Sequence, residues 1–259
     1  MKIMFSIITV VYNAKENVRR TINSIKYQKE YINQDLEYII IDGGSTDGTL
    51  DVIEQYKNEI DYFVSESDKG IYDAMNKGLK IATGEYVIFM NAGDVFAEKD
   101  TLKKLKEIII ENNYPDFIYG DALELTEGGK IFYKKAYNHK FVWYGMFTHN
   151  QAMLYKKTLL NTYKIRYRLE YAIAADYAFT YEVLKYSKHN LYVDFSICIF
   201  LQGGISSKSN IKGLKEQNII RKKLGCLSTF SINIINIIHL IKLFMRQRLK
   251  FIYNFFRYK

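Results

Sequence analysis

Over the first 112 residues, short apolar runs rich in β-branched residues alternate with segments whose apolar residues recur at helical spacing. Few architectures satisfy that alternation. The spacing predicts strands at Ile3 to Val11, Glu37 to Ile41, Tyr62 to Ser65 and Glu85 to Met90. It predicts helices at Asn17 to Tyr27, Thr49 to Tyr56, Ile71 to Ala82 and Thr101 to Asn112. The second helix is entered from the polar turn Gly43-Gly44-Ser45-Thr46-Asp47-Gly48. Strands separated by helices of this length pair side by side in parallel, with helices on both faces of the sheet. The class is therefore α/β, with a Rossmann-like, mostly parallel central sheet.

Beyond residue 112 the pattern changes. A strand at Phe117 to Tyr119, a hairpin turning at Gly128-Gly129, a strand at Ala152 to Tyr155 and a helix at Ala175 to Tyr186 make a mixed α+β half. With 259 residues, 48% of them hydrophobic, the chain can bury one sizeable core. The expected division is one domain over residues 1–207, with halves meeting near residue 120, and a helical tail over 208–259. Pro occurs once, at Pro115, and the 23 Tyr and 16 Phe argue against a disordered linker.

The net charge of +9 suggests nucleic acid until its distribution is examined. Residues 1–207 hold 25 Lys/Arg against 27 Asp/Glu, whereas residues 208–259 hold 12 against 1. A near-neutral body with a cationic tail has no basic face for nucleic acid. From Ser228 to Lys259 the tail is patterned as a helix, with Ile232, Ile235, Ile238, Ile241 and Phe244 interleaved with Lys242, Arg246, Arg248, Lys250 and Arg257. Its apolar run is too interrupted to span a bilayer. Two readings stand: an interfacial helix on an anionic membrane surface, or a helix packed on the body or on the second subunit of a homodimer.

Cys198 and Cys226 are far apart and lack zinc-site spacing, so both are expected as free thiols in a reducing compartment. The segment from Met1 to Phe5 runs directly into the first strand without the layout of a secretory leader. The expected location is cytoplasmic, peripheral on the inner face of the cytoplasmic membrane.

In open α/β sheets, ligands sit beyond the carboxyl ends of the strands. Those ends here carry Tyr12, Asp42 and the segment Asn91-Ala92-Gly93-Asp94. An aromatic ring and two carboxylates on one edge suit a nucleotide and a divalent cation. Each also has a structural reading: Tyr12 as packing, and Asp42 and Asp94 as caps of turns or helices. Asp176, among the small residues Ala174 and Ala175, reads as the N-cap of its helix, as a general base, or as both.

Taken in order, several segments resemble the bacterial family-2 glycosyltransferases of the GT-A fold, those of O-antigen, capsule and exopolysaccharide assembly. They are Ser6-Ile7-Ile8-Thr9-Val10-Val11-Tyr12-Asn13, Ile41-Asp42-Gly43-Gly44-Ser45-Thr46-Asp47-Gly48-Thr49, Asp68-Lys69-Gly70-Ile71-Tyr72-Asp73-Ala74-Met75-Asn76-Lys77-Gly78 and Ala82-Thr83-Gly84-Glu85-Tyr86. Asn91-Ala92-Gly93-Asp94, His149-Asn150-Gln151, Ala175-Asp176-Tyr177 and Gly203-Gly204-Ile205-Ser206 follow. Together they cover roughly residues 3–207.

The resemblance implies an inverting transfer of a sugar from a nucleotide-diphosphate donor, a UDP-sugar, to a saccharide acceptor carried on a lipid. It implies a donor site drawn from Thr9, Val11, Tyr12, Asp42, Asp68, Lys69, Asn76, Asn91, Ala92 and Gly93. Asp94 is the expected ligand of Mn²⁺ or Mg²⁺, although Asn91 stands where many relatives carry an acidic residue. Asp176 is the expected base. His149, Gln151, Gly203 and Gly204 are expected to contact donor or acceptor, and Asn76 and Lys77, in the helix that Gly70 opens, either contact donor groups or solvate that helix face. A competing reading, favoured by Asn91 and Gly93, is a non-catalytic scaffold that binds nucleotide-sugar. A nucleotidyltransferase would need a Gly-rich phosphate loop after the first strand, where Tyr12-Asn13-Ala14-Lys15-Glu16-Asn17 has no Gly.

Overall fold

The computed structural model describes residues 3–203, 210–223, 225 and 227–248. Its nucleotide-type half opens with β1 (Phe5–Val11), α1 (Lys15–Ile32), β2 (Leu36–Asp42), α2 (Thr49–Gln55) and β3 (Tyr62–Ser65). It continues with α3 (Ile71–Ile81), β4 (Tyr86–Phe89), the short β5 (Val95–Phe96) and α4 (Thr101–Glu111). β1 pairs in parallel with both β2 and β4, and β2 pairs in parallel with β3. Every residue of β1 is buried, because alternate side chains enter two different cores. Ile8 and Val10 join Ala74, Met75 and Leu79 of α3, while Phe5, Ile7 and Val11 join Val18, Ile22 and Ile25 of α1 and Leu102 and Leu105 of α4. Helices thus cover both faces, as the alternation predicts.

The second half adds β6 (Phe117–Leu125), β7 (Ile131–Lys134), β8 (Met153–Lys156), α5 (Lys157–Thr162), α6 (Ala175–Tyr186) and β9 (Asn190–Leu201). The strand order is β3-β2-β1-β4-β8-β6-β9-β5, with β7 hairpinned onto β6. β8 is wedged antiparallel between β4 and β6, so β6 and its parallel neighbour β9 run in the direction of β4. The result is an α/β GT-A fold with a mixed, β-rich second half. The hairpin turns at Gly128-Gly129, where Gly129 has φ +76°.

β6 extends to Leu125, well past Tyr119, and all of β9 is additional to the predicted strands. Both carry polar residues that break an apolar pattern: Asp121 and Glu124 are buried within β6, and Asp194 interrupts β9. A register shift at Gly120 and Asp121 disturbs the alternation further.

Two further helices, α7 (Asn210–Lys223) and α8 (Thr229–Arg248), follow. Ile232 and Ile235 of α8 are buried, its His239 ring stacks on Tyr144 and its Lys242 donates to the Tyr144 hydroxyl at 2.8 Å. The opposite face leaves Phe230, Ile234, Ile237, Ile241 and Phe244 exposed, a stripe at helical spacing. One face of the helix therefore packs on the body while the other is bare. Among the described residues, no helix is long and apolar enough to cross a membrane. Residues 249–259 and Cys226 lie outside the described residues, and Cys198 is a buried free thiol.

Candidate active site

β1, β2 and β3 end in register, with Val11 opposite Asp42 and Asp42 opposite Ser65. The chain continues from these ends along one edge of the sheet. Tyr12 projects from it with its side chain 64% exposed. The next residue, Asn13, takes a positive φ of 46°, which turns the chain so that its amide N–H reaches Ser45 Oγ at 2.8 Å and its side chain accepts from Thr46 N at 2.8 Å. Gly43 lies between Tyr12 and Asp68: a Cβ there would stand 2.6 Å from Asp68 Oδ2 and 3.4 Å from the Tyr12 ring. Tyr12, Gly43 and Asp68 thus lie side by side at this edge, and Asp68 is fixed by the Gly70 N–H at 2.7 Å. Lys69 is exposed beside it.

Asp42 is at this edge but points inward. Its fully buried carboxylate accepts from Gly44 N and Ser45 N, each at 2.9 Å, from Ser65 Oγ at 2.7 Å and from Ser45 Oγ. It shapes the turn that carries Gly43. Thr9 is likewise buried, its hydroxyl donating to Met90 O at 2.7 Å, and Val11 offers its carbonyl to Gly43 N. These three are buried behind the exposed Tyr12 edge. Asn76 grips the backbone of Tyr167, donating to its carbonyl at 2.8 Å and accepting from its N–H at 2.9 Å, while Lys77 pairs with Glu66 at 2.8 Å.

After β4, residues Asn91 to Asp94 form a turn pinned to α1. Gly93, at φ +103°, donates to Asn17 O and Thr21 Oγ1, and the Thr21 hydroxyl reaches Asp94 O at 2.8 Å. Ala92 is half-buried beside it. The buried Asn91 Oδ1 has no hydrogen-bond partner, an acceptor of the kind that a bound hydroxyl satisfies. Asp94 is 4% exposed; its oxygens accept from Leu201 N at 2.9 Å and Gln151 Nε2 at 2.7 Å. Burial pushes its carboxyl up to about 7, against the lowering effect of those donors and of Arg20.

This overturns the expected Mn²⁺ or Mg²⁺ site. Among the described residues, no group of three or more His, Cys, Asp or Glu side chains could hold a metal ion. A hard divalent cation wants several oxygen ligands, whereas Asn91 and Gly93 supply no charge here and both Asp94 oxygens already accept protein N–H groups.

Gln151, expected against donor or acceptor, instead donates to Asp94. His149 enters a neighbouring cluster: its Nε2 is 2.9 Å from Glu124 Oε1 and 3.2 Å from Lys134 Nζ, and its ring stacks on Phe200 at 4.1 Å. Gln202 donates to the other Glu124 oxygen at 2.6 Å. Gly203 follows at φ +109°, against Glu127; Gly204 lies outside the described residues. Glu124, Lys134 and Gln202 were not anticipated, and the available signal was an acidic residue within the apolar run of β6.

Asp176 occupies the first turn of α6, half-buried, with Oδ1 accepting its neighbour's N–H, that of Tyr177, at 2.7 Å. It does not cap the helix from outside; Ala174 holds the N-cap position. Burial pushes its carboxyl up to about 6, the Tyr177 N–H opposes that rise, and the charge of Glu216 adds to it. Tyr72 of α3, a residue inside a quoted motif whose role was missed, donates to Ile173 O at 2.7 Å close by.

Residues 6–174 match the family described as Glycosyl transferase family 2. A PGL/p-HBAD biosynthesis glycosyltransferase of Mycobacterium bovis (strain BCG / Pasteur 1173P2) is 31% identical over 188 residues, 68% of this chain and 68% of its own. The putative teichuronic acid biosynthesis glycosyltransferase TuaG of Bacillus subtilis (strain 168) is 34% identical over 130 residues, 49% of this chain and 50% of its own. S. aureus TarS 1–349 in complex with UDP-GlcNAc superposes with a TM-score of 0.70 at 22% identity, over 91% of this chain and 70% of that one, a likeness of fold. In its complex with UDP, the same TarS fragment is covered over 65% of its length. Because the family match runs from β1 to the loop before α6, more than half of the sequence, the chain belongs to glycosyl transferase family 2.

Proposed function

We propose that the chain transfers a sugar from a UDP-sugar to an acceptor hydroxyl with inversion at the anomeric carbon. The observation that carries this reading is the place of Asp176, in the first turn of α6 just beyond the family-matched segment, where burial pushes its carboxyl up to about 6. Such a group is ionised at neutral pH yet still basic enough to take a proton in the transition state. The acceptor oxygen bonds to the anomeric carbon as the bond from that carbon to the diphosphate oxygen breaks. The electron pair leaves with UDP, and the acceptor proton passes to Asp176. Attack opposite the leaving group inverts the configuration.

Tyr12 stacks on the base and Asp68 borders it, while Asn91 Oδ1 receives a donor hydroxyl. Lys69, exposed beside Asp68, puts positive charge on the edge where the diphosphate departs. The UDP and UDP-GlcNAc complexes of TarS support a uridine donor.

The acceptor in this reading is a lipid-linked saccharide of cell-surface polysaccharide assembly, met at the inner face of the cytoplasmic membrane. The bare apolar stripe of α8 and the 12-to-1 excess of Lys/Arg over Asp/Glu in residues 208–259 support an interfacial helix on anionic lipid. The engaged carboxylate of Asp94 favours the scaffold reading as the second possibility. The test is NMR of the product formed from a UDP-sugar panel with a saccharide acceptor. A product of opposite anomeric configuration is expected; retained configuration overturns inversion, and UDP-sugar binding without any product supports the scaffold.

A further inference from the structure

The loop that leads into α6, whose first turn carries Asp176, is held from outside the family-matched region. Ala172 N, Ile173 N and Ala174 N donate to one carboxylate, Glu216 of α7, at 3.1, 2.8 and 2.9 Å. Glu216 is itself buried. α6 has no side-chain cap of its own, so Glu216 satisfies the donors that lead into its first turn. Close approach is built in: a Cβ on Gly213 would stand 3.1 Å from Ile173 Cγ2. Arg221, one turn further along α7 and fully buried, ties the helix down by donating to Trp143 O at 3.0 Å and to Tyr144 O, with its guanidinium 5.6 Å from the Tyr177 ring centre. From the other side, Tyr72 bonds Ile173 O.

We propose that Glu216 is a positioning residue for Asp176, holding the 172–174 loop so that the base carboxylate meets the acceptor hydroxyl. The proposal rests on Asp176 being the base. It makes α7 part of the catalytic apparatus and not an appendage. α7 also meets the tail helix, through Asn218 Nδ2 to Asn236 Oδ1 at 2.8 Å, so the element that fixes the base loop touches the element read as docking on lipid.

Glu216 also acts through charge. Among the described residues, the ionisable groups near enough to act on Asp176 by charge are Tyr72, Tyr155, Tyr167 and Glu216. Burial holds the three tyrosine hydroxyls protonated, leaving the Glu216 carboxylate to favour the protonated form of Asp176.

The test uses the full chain with Glu216→Ala, Glu216→Gln and Asp176→Asn, measuring UDP affinity, kcat and KM for the donor, and the pH dependence of kcat. Glu216→Ala is expected to lower kcat by roughly 10–100-fold, the cost of a misplaced catalytic group, with UDP affinity unchanged. Glu216→Gln keeps one acceptor oxygen and should recover part of that loss. Both should move the acidic limb of the profile to lower pH, because a negative charge beside Asp176 is gone. Wild-type kcat and an unmoved limb in Glu216→Gln overturn the proposal, and that variant is read alone if Glu216→Ala does not fold. Wild-type turnover by Asp176→Asn instead overturns the base assignment, a separate failure.

Discussion

Asp94 sets up a stability experiment whose sign follows from burial alone. Its carboxyl titrates near 7 in the folded protein against 3.8 when free. The folded state therefore keeps a proton that the unfolded chain gives up. The resulting contribution to stability is fully present below about pH 4 and is lost as pH rises through 7. At about 1.4 kcal/mol per pH unit, the gap amounts to about 4 kcal/mol. Asp94→Asn stays neutral at every pH and fits the same space: its oxygen accepts from Leu201 N–H, and a turned Gln151 amide accepts from the new NH₂. Other carboxylates, Asp176 included, titrate in both proteins and cancel in the comparison. Urea or thermal unfolding of both proteins from pH 4 to 8 should show Asp94→Asn gaining on the wild type by up to about 4 kcal/mol, each kcal/mol being about 2–4 °C in Tm. A stability difference that is flat across this range would refute the argument that Asp94 bears an uncompensated burial cost.

Tyr12→Ala should weaken UDP binding by about 1–3 kcal/mol, the worth of one stacked base, with Tyr12→Phe near wild type in calorimetry; equal binding by both would remove the ring from the pocket. Gly78→Ala should destabilise the fold by roughly 1–3 kcal/mol in denaturant melts, since the new Cβ would fall 2.5 Å from Ile8 Cγ2 and push α3 off β1. Ile237→Glu with Phe244→Glu, on the bare face of α8, should abolish co-sedimentation with anionic vesicles while donor turnover persists; undiminished sedimentation would refute the interfacial helix.

The parallel half was legible because β1, β2 and β4 are buried on both faces, giving continuous apolar runs, and α3 and α4 carry apolar residues at helical spacing. Tyr62–Ser65 and Ala175–Tyr186 fall where the pattern puts them. β9 and the second half of β6 were not, since Asp121, Glu124 and Asp194 break the apolar rhythm that a single sequence offers. Within the site, strand-end placement was readable and side-chain direction was not. Asp42 lies at the predicted edge but turns inward to Gly44, Ser45 and Ser65, and Asp94 turns to Gln151 and Leu201, which is why the expected cation has no ligand set. Glu216 was invisible because it acts on backbone N–H groups some forty residues away, a partnership that no local spacing encodes.

The central claim, sugar transfer with Asp176 as base, is tested most directly by turnover of bound UDP-sugar in wild type and Asp176→Asn. The account predicts matching UDP-sugar affinity in the two proteins and a loss of roughly 10²–10⁴-fold in kcat for the variant. A variant that binds the donor and transfers the sugar at the wild-type rate would contradict it.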